Sequence, residues 1–271
     1  MEAANLDPSP SGRNRDVMTA WLLLVPAVAL LAIPAIRRAG RPRTRAEIGP
    51  ALAPLWWAAR AYCRLWHRLG FDGWAPLPAE GPAILIANHT CCIDHLLIQS
   101  RSRRVLGFVI ARNMYEMPIV HRFCVRVGCI PVERDGRDLR AMRSALRALE
   151  EGRVVPIFPE GRITPQGGRA LGPIRSGAAF LALRSGAPVI PAFISGTPET
   201  VDVGPALWRR SRSRVVFGPP VDLSDFNPSQ AGDRDALARA SRRFEQALLD
   251  LQARSLGRTT SETPADVGPV A

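Results

Sequence analysis

Residues 87–95 read ANHTCCIDH, and they gather most of the groups in this chain that could do chemistry: His89, His95, Asp94, Cys91 and Cys92. Three chemistries are open to them. A metal site would draw on Cys and His at short regular spacings, with a second pair elsewhere. Here Cys91 and Cys92 are adjacent, and the remaining histidines, His67 and His121, offer no matching spacing. A thiolate nucleophile at Cys91 or Cys92 would need its pKa lowered by a helix N-terminus or by His89 or His95. The plainer reading of both cysteines is as small residues filling a tight turn. The third chemistry joins His89 to Asp94. A carboxylate bonded to one imidazole nitrogen fixes the tautomer and leaves the other nitrogen as a base. The same two residues could instead simply cap a helix.

Geometry limits the third option. On an ideal helix, positions five apart diverge by about 140°. His89 and Asp94 therefore meet only if His89 lies in a loop and Asp94 in the first helical turn. The flanking sequence predicts that junction. PAILI before it is an apolar run of the kind that forms a buried strand, and LLIQ after it continues as helix. Strand ends are rigid and the loops that follow them are open to ligand.

The elements around this junction alternate. PAILIA, RVLGFVI, VVPIFP, PVIPAFI and RVVF are predicted strands. DLRAMRSALRALEEG is a predicted helix with Leu139, Met142, Leu146 and Leu149 on its apolar stripe and Gly152 as its stop. GPIRSGAAFLALRSG and DALARASRRFEQALLDLQAR are two more. Strand and helix in alternation predict an α/β fold, a mostly parallel sheet covered by helices.

Before this domain the composition changes. Residues 1–16 are polar and predicted to be disordered, and residues 17–36 carry no charge. Twenty apolar residues suffice to cross a bilayer, with Pro26 and Pro34 bending the segment into a kinked or re-entrant helix. Arg37, Arg38, Arg41, Arg43 and Arg45 follow it, which places the rest of the chain on the cytoplasmic face of the inner membrane. The next segment repeats Arg60, Arg64 and Arg68, with Trp56, Trp57 and Trp66 on the same stretch. Tryptophan with arginine in this pattern predicts a helix lying in the membrane interface; the alternative is an amphipathic helix packed on its own domain. The expected organisation is thus a disordered start (1–16), a membrane-associated helical pair (17–71), the α/β domain (72–254) and a loose tail (255–271).

The chain contains 36 Lys and Arg against 24 Asp and Glu, a net charge of +12, and every one of the cations is Arg. Such a charge suits phosphate, anionic membrane or nucleic acid. Two adjacent membrane-favouring elements set nucleic acid aside. Five cysteines, an odd number with no framework, indicate a reducing compartment.

NHTCCID resembles the Asn-His-x-x-x-x-Asp motif of the glycerolipid acyltransferases. VGCIPVERD resembles the family's second block, with Arg134 at the block's arginine. IFPEGRIT resembles the third, and APVIPAFISGT the fourth, around Val189, Ile190 and Pro191. The four blocks follow in the family's order over roughly residues 80–220. The resemblance implies transfer of a fatty acyl chain from acyl-CoA or acyl carrier protein to the hydroxyl of a lysophospholipid, with no cofactor or metal. The acceptor it implies first is 1-acylglycerol-3-phosphate, giving phosphatidic acid. It assigns His89 and Asp94 to catalysis, and Arg134, Glu160, Gly161, Arg162 and Thr164 to the acceptor. Glu160 would align the arginines, and Val189, Ile190 and Pro191 would line an acyl pocket or serve the fold. Two departures bear on the acceptor. EGRIT stands where phosphatidic-acid-forming members have Glu-Gly-Thr-Arg-Ser, and is closer to modules that reacylate lysophosphatidylethanolamine. A basic position that is usually Lys is here Arg112. Rival readings are a cysteine hydrolase or thioesterase, and a membrane-surface binder without activity.

Overall fold

The computed structural model describes residue 49, residues 52–133 and residues 138–257. The apolar segment 17–36, its arginine flank and Arg134 lie outside the described residues. No helix among the described residues is long and apolar enough to cross a membrane.

In chain order, α1 (Ala53–Leu65) precedes β1 (Ala83–Ala87), α2 (Asp94–Gln99), β2 (Val109–Ala111), α3 (Arg112–Tyr115), α4 (Pro118–Val127) and β3 (Ile130–Val132). Then follow α5 (Leu139–Glu150), β4 (Val154–Ile157), α6 (Gly177–Ser185), β5 (Val189–Ser195), α7 (Val203–Trp208), β6 (Arg214–Phe217), a 3₁₀ turn (Pro228–Gly232) and α8 (Arg234–Ser255). The main sheet has the order β4-β1-β5-β6, with β6 antiparallel to β5 and the other pairs parallel. β2 and β3 form a second, two-stranded parallel sheet, and Leu106 bridges to Val154 of β4. Each predicted strand contributes to this arrangement, although 104–110 forms regular strand only at its end. β3 was not anticipated: three residues with a proline in the middle show no period.

β1 is central and buried on both faces, as its unbroken apolar run requires. Ile84 and Ile86 pack toward α5, α6 and α8, while Ala83, Leu85 and Ala87 pack toward α1, α2 and α7. Each large aliphatic side chain buried this way is worth about 1.5–3 kcal/mol. That anchorage holds rigid the strand end from which Asn88 and His89 emerge. On α5, Met142, Leu146 and Leu149 of the predicted stripe pack on the core, and Leu139 does not. Ala141, Ala145, Ala148 and Leu149 are buried, whereas Leu139 is 67% exposed. The helix approaches the core on its alanine side, where small side chains permit close packing.

α1 packs on its own domain, the alternative reading of this segment, and Trp56 and Arg60 are hydrogen-bonded to the end of α2. Trp56 Nε1 donates to the carbonyls of Gln99 and Ser102 at 3.1 and 3.2 Å, and Arg60 Nη1 donates to Ser100 O at 2.7 Å. Tyr62 Oη donates to Leu207 O at 2.6 Å, and Cys63 is fully buried. The carbonyls at the end of α2 need donors, and α1 supplies them. Trp66 caps the helix and meets Trp208 edge-on, and Arg68 lies beyond it with a positive φ of 44°. The outward face carries Trp57, Ala61, Arg64 and Leu65 instead.

Candidate active site

β1 ends at Ala87, and Asn88 continues the sheet with its side chain. Its Nδ2 donates to Ile194 O at 2.9 Å and its Oδ1 accepts from Ile194 N at 2.7 Å, imitating one more pair of β1–β5. The loop that follows turns into α2, whose first residue is Asp94. His89 lies in the loop and Asp94 in the first turn, so the two side chains meet: Nδ1 is 2.8 Å from Asp94 Oδ2.

Asp94 is fully buried, and its charge is matched by donors. Oδ2 also accepts the amides of Thr90 at 2.7 Å and Cys91 at 2.9 Å, and Oδ1 accepts Thr90 Oγ1 at 3.0 Å. With the carboxylate accepting throughout, the hydrogen sits on His89 Nδ1 and the lone pair on Nε2. Nε2 makes no hydrogen bond among the described residues. Phe158 stacks on the imidazole, ring centroids 4.1 Å apart and planes within 12°. His95 meets it edge-on at 5.7 Å. Burial, and then the neighbouring His89, pull the His95 pKa down to about 4, so that ring is neutral and donates to Cys92 O.

The cysteines are placed as packing residues. Cys91 is fully buried, and Cys92 is held against it. The interaction between the two thiols, and then burial, push the Cys92 thiol above its usual range, and the same interaction pulls the Cys91 thiol below it.

The PEG turn lies beside the loop. Glu160, 1% exposed, accepts the backbone N–H of His89 at 2.7 Å through Oε1. Through Oε2 it accepts Thr164 Oγ1 at 2.5 Å and Gly172 N at 2.8 Å. Thr164 N donates in turn to His89 O at 2.7 Å. Glu160 thus ties the 160–172 loop to the His89 backbone, and among the described residues it makes no ion pair. Its oxygens are taken by N–H and O–H donors, and Arg134, one of the two arginines it is expected to align, lies outside the described residues. Gly172 was missed in the sequence. A Cβ there would lie 2.5 Å from Glu160 Oε2, so only glycine lets the carboxylate in.

Over residues 68–195 the sequence matches the model of the Acyltransferase family. These residues are similar to an acyltransferase domain. The chain is 21% identical over 177 residues to a 1-acyl-sn-glycerol-3-phosphate acyltransferase of Bacillus subtilis, covering 65% of this chain and 84% of that one. It is 28% identical over 183 residues to the protein of the same name from Salmonella typhimurium, covering 65% and 71%. The crystal structure of the 1-acyl-sn-glycerophosphate (LPA) acyltransferase PlsC from Thermotoga maritima superposes with a TM-score of 0.66 at 18% identity. That superposition covers 93% of this chain and 99% of the other, and shows a shared fold.

The remaining expected site positions divide. Arg162 is exposed on the PEG turn, and Gly161 before it has φ +65°. Arg175 crosses that glycine closely enough that a Cβ would meet its Nε at 3.0 Å. This second arginine beside the turn carries no sequence signal, since it precedes α6 in a stretch read as helix. Arg112 starts α3 and is paired with Glu133 and, at 3.6 Å, with Glu116. Val189, Ile190 and Pro191 are buried in β5, paired with Ile84, Leu85 and Ile86 of β1. They build the sheet upstream of the Ile194–Asn88 junction, which corresponds to the structural part of their expected role.

Proposed function

We propose that this acyltransferase esterifies the free hydroxyl of 1-acylglycerol-3-phosphate at a membrane surface, using acyl-CoA or acyl carrier protein as donor and facing the cytoplasm. The observation that carries the reading is the His89–Asp94 contact with Nε2 left open. Nε2 takes the proton of the acceptor hydroxyl as its oxygen attacks the thioester carbonyl. The tetrahedral intermediate collapses, the C–S bond breaks, and the proton on Nε2 goes to the leaving thiolate. Asp94 holds the ring in the required tautomer and stabilises the imidazolium that forms transiently. Arg162 and Arg175 stand where a phosphate on the acceptor would find guanidinium donors. The named activities of the bacterial relatives support this choice of acceptor.

The test is a panel of lysolipids offered to the purified protein with one labelled acyl-CoA. Lysophosphatidic acid should be acylated fastest. Faster acylation of lysophosphatidylethanolamine would move the acceptor to the rival that EGRIT suggests. Release of free fatty acid with no ester formed would replace transfer by hydrolysis.

A further inference from the structure

At the opposite end of α2 from Asp94, a cleft of about 240 Å³ opens between α1 and the turn that follows α2. Arg60, Arg64 and Arg101 line it, with Leu69, Phe71 and Ser100. None of the three arginines forms an ion pair among the described residues, and the nearby Asp72 is taken by Arg214 at 2.9 Å.

Capping of α2 accounts for part of this cluster. Arg60 Nη1 donates to Ser100 O, Arg64 Nη1 to Leu69 O at 3.1 Å, and Arg101 Nη2 to the carbonyls of Leu69 and Gly70. One nitrogen of each guanidinium is so used, while each group offers five N–H donors. A helix end gains from one cation nearby, whereas three facing one cleft repel each other. Burial, and then the charge of Arg60, hold the Arg101 pKa below its ordinary value. Arg101 is only 4% exposed, and its Nε has no hydrogen-bond partner. Buried polar atoms without partners are uncommon and ask for a ligand. Arg60 is also fixed in plane: its guanidinium lies 4.8 Å from the Trp56 ring and 4.6 Å from the Trp74 ring. Trp56 and Trp74, stacked on each other with centroids 6.0 Å apart, hold the guanidinium against their rings and leave N–H groups for an oxyanion.

We propose that this cleft binds the phosphate of an anionic phospholipid headgroup, at a site separate from His89. The surroundings favour a lipid over free phosphate. Phe71 is 57% exposed, and Leu65 and Trp57 on the same outward side of α1 are 77% and 61% exposed. A cationic pocket with Phe71 in its lining, on a helix that also exposes Leu65 and Trp57, fits a molecule with a charged head and acyl chains, and gives inorganic phosphate nothing for its apolar part. The site does not depend on which acceptor the enzyme uses.

The experiment titrates the purified full chain with monomeric dihexanoyl-phosphatidylglycerol. Dihexanoyl-phosphatidylcholine and inorganic phosphate serve as comparison probes at matched ionic strength. Arg64→Gln is the informative variant, because Arg64 is exposed and its loss spares the core. Arg242→Gln removes the same charge from the exposed surface of α8. Loss of one charge-assisted contact should weaken phosphatidylglycerol binding about tenfold in Arg64→Gln and leave Arg242→Gln unchanged. Acyl transfer by Arg64→Gln on a short-chain acceptor should stay near the parent rate, which separates the cleft from the His89 site. Equal binding by parent and Arg64→Gln overturns the proposal, as does equal loss in Arg242→Gln or equal affinity for phosphatidylcholine. Inorganic phosphate binding as tightly as the lipid would replace the lipid by free phosphate.

Discussion

His89 Nδ1 lies 2.8 Å from Asp94 Oδ2, and that same oxygen also takes the amides of Thr90 and Cys91. The loop therefore organises itself around one carboxylate, and the imidazole is the only member with a free nitrogen. His89→Ala should lower turnover about 10²- to 10⁴-fold, the usual worth of a positioned general base. Asp94→Asn should be nearly as damaging, because an amide can hold the wrong tautomer and cannot accept at both atoms. Steady-state acyl transfer checks both; retained activity in His89→Ala would remove the base from His89.

Phe158 covers one face of that imidazole, so its effect should be on position alone. Phe158→Leu keeps an apolar contact and loses the stack. Aromatic pairs are worth about 0.5–1.5 kcal/mol, which corresponds to a fall of roughly twofold to tenfold in kcat. The KM for the acyl donor should hardly move. A large rise in that KM with kcat intact would make Phe158 a substrate contact instead.

The legible and the hidden parts of this site differ for a physical reason. Five of the strands and the junction at residue 88 follow from unbroken apolar runs, and the His89–Asp94 contact follows from placing loop and helix on either side of it. β3 and α7 are too short to show a period. A carboxylate beside arginines in sequence suggests pairing, and the inward N–H and O–H donors that Glu160 also meets are displayed only by the fold. Gly172 and Arg175 reach the site through the return of the loop toward α6, which no local pattern announces. α1 shows the same limit from the other side. Its Trp and Arg content suits a membrane interface and equally suits capping the end of α2, and only the fold says that Trp56 and Arg60 do the second.

Glu160→Gln tests the inward reading. The amide can accept with one oxygen, but its nitrogen would face another donor, either His89 N or the Thr164–Gly172 pair. An unsatisfied buried donor costs about 1–3 kcal/mol. The melting temperature should fall together with activity, since the His89 backbone is released. Had Glu160 served chiefly to align arginines, the variant would keep its stability and lose acceptor binding only. Thermal unfolding beside the KM for the lysolipid tells the two apart.

The last expectation concerns acid stability. His67 is fully buried between α1 and the segment after α7, with Nε2 2.9 Å from Tyr62 Oη and Nδ1 2.8 Å from Ser211 Oγ. Tyr62 already donates to Leu207 O, so His67 donates through Nε2 and accepts through Nδ1, which requires the neutral ring. Burial lowers its pKa from 6.5 to about 4. The unfolded chain binds a proton at this residue below 6.5, while the folded chain resists until about 4. Stability is therefore complete above 6.5 and drains as pH falls toward 4, with His95 adding in the same direction. Urea midpoints measured from pH 7.5 to 4.5 should fall on acidification. His67→Gln, whose amide can still donate to Tyr62 Oη, should fall less steeply, by about one proton in the linkage slope. Identical slopes for parent and variant would mean that His67 does not sense acid in the folded protein.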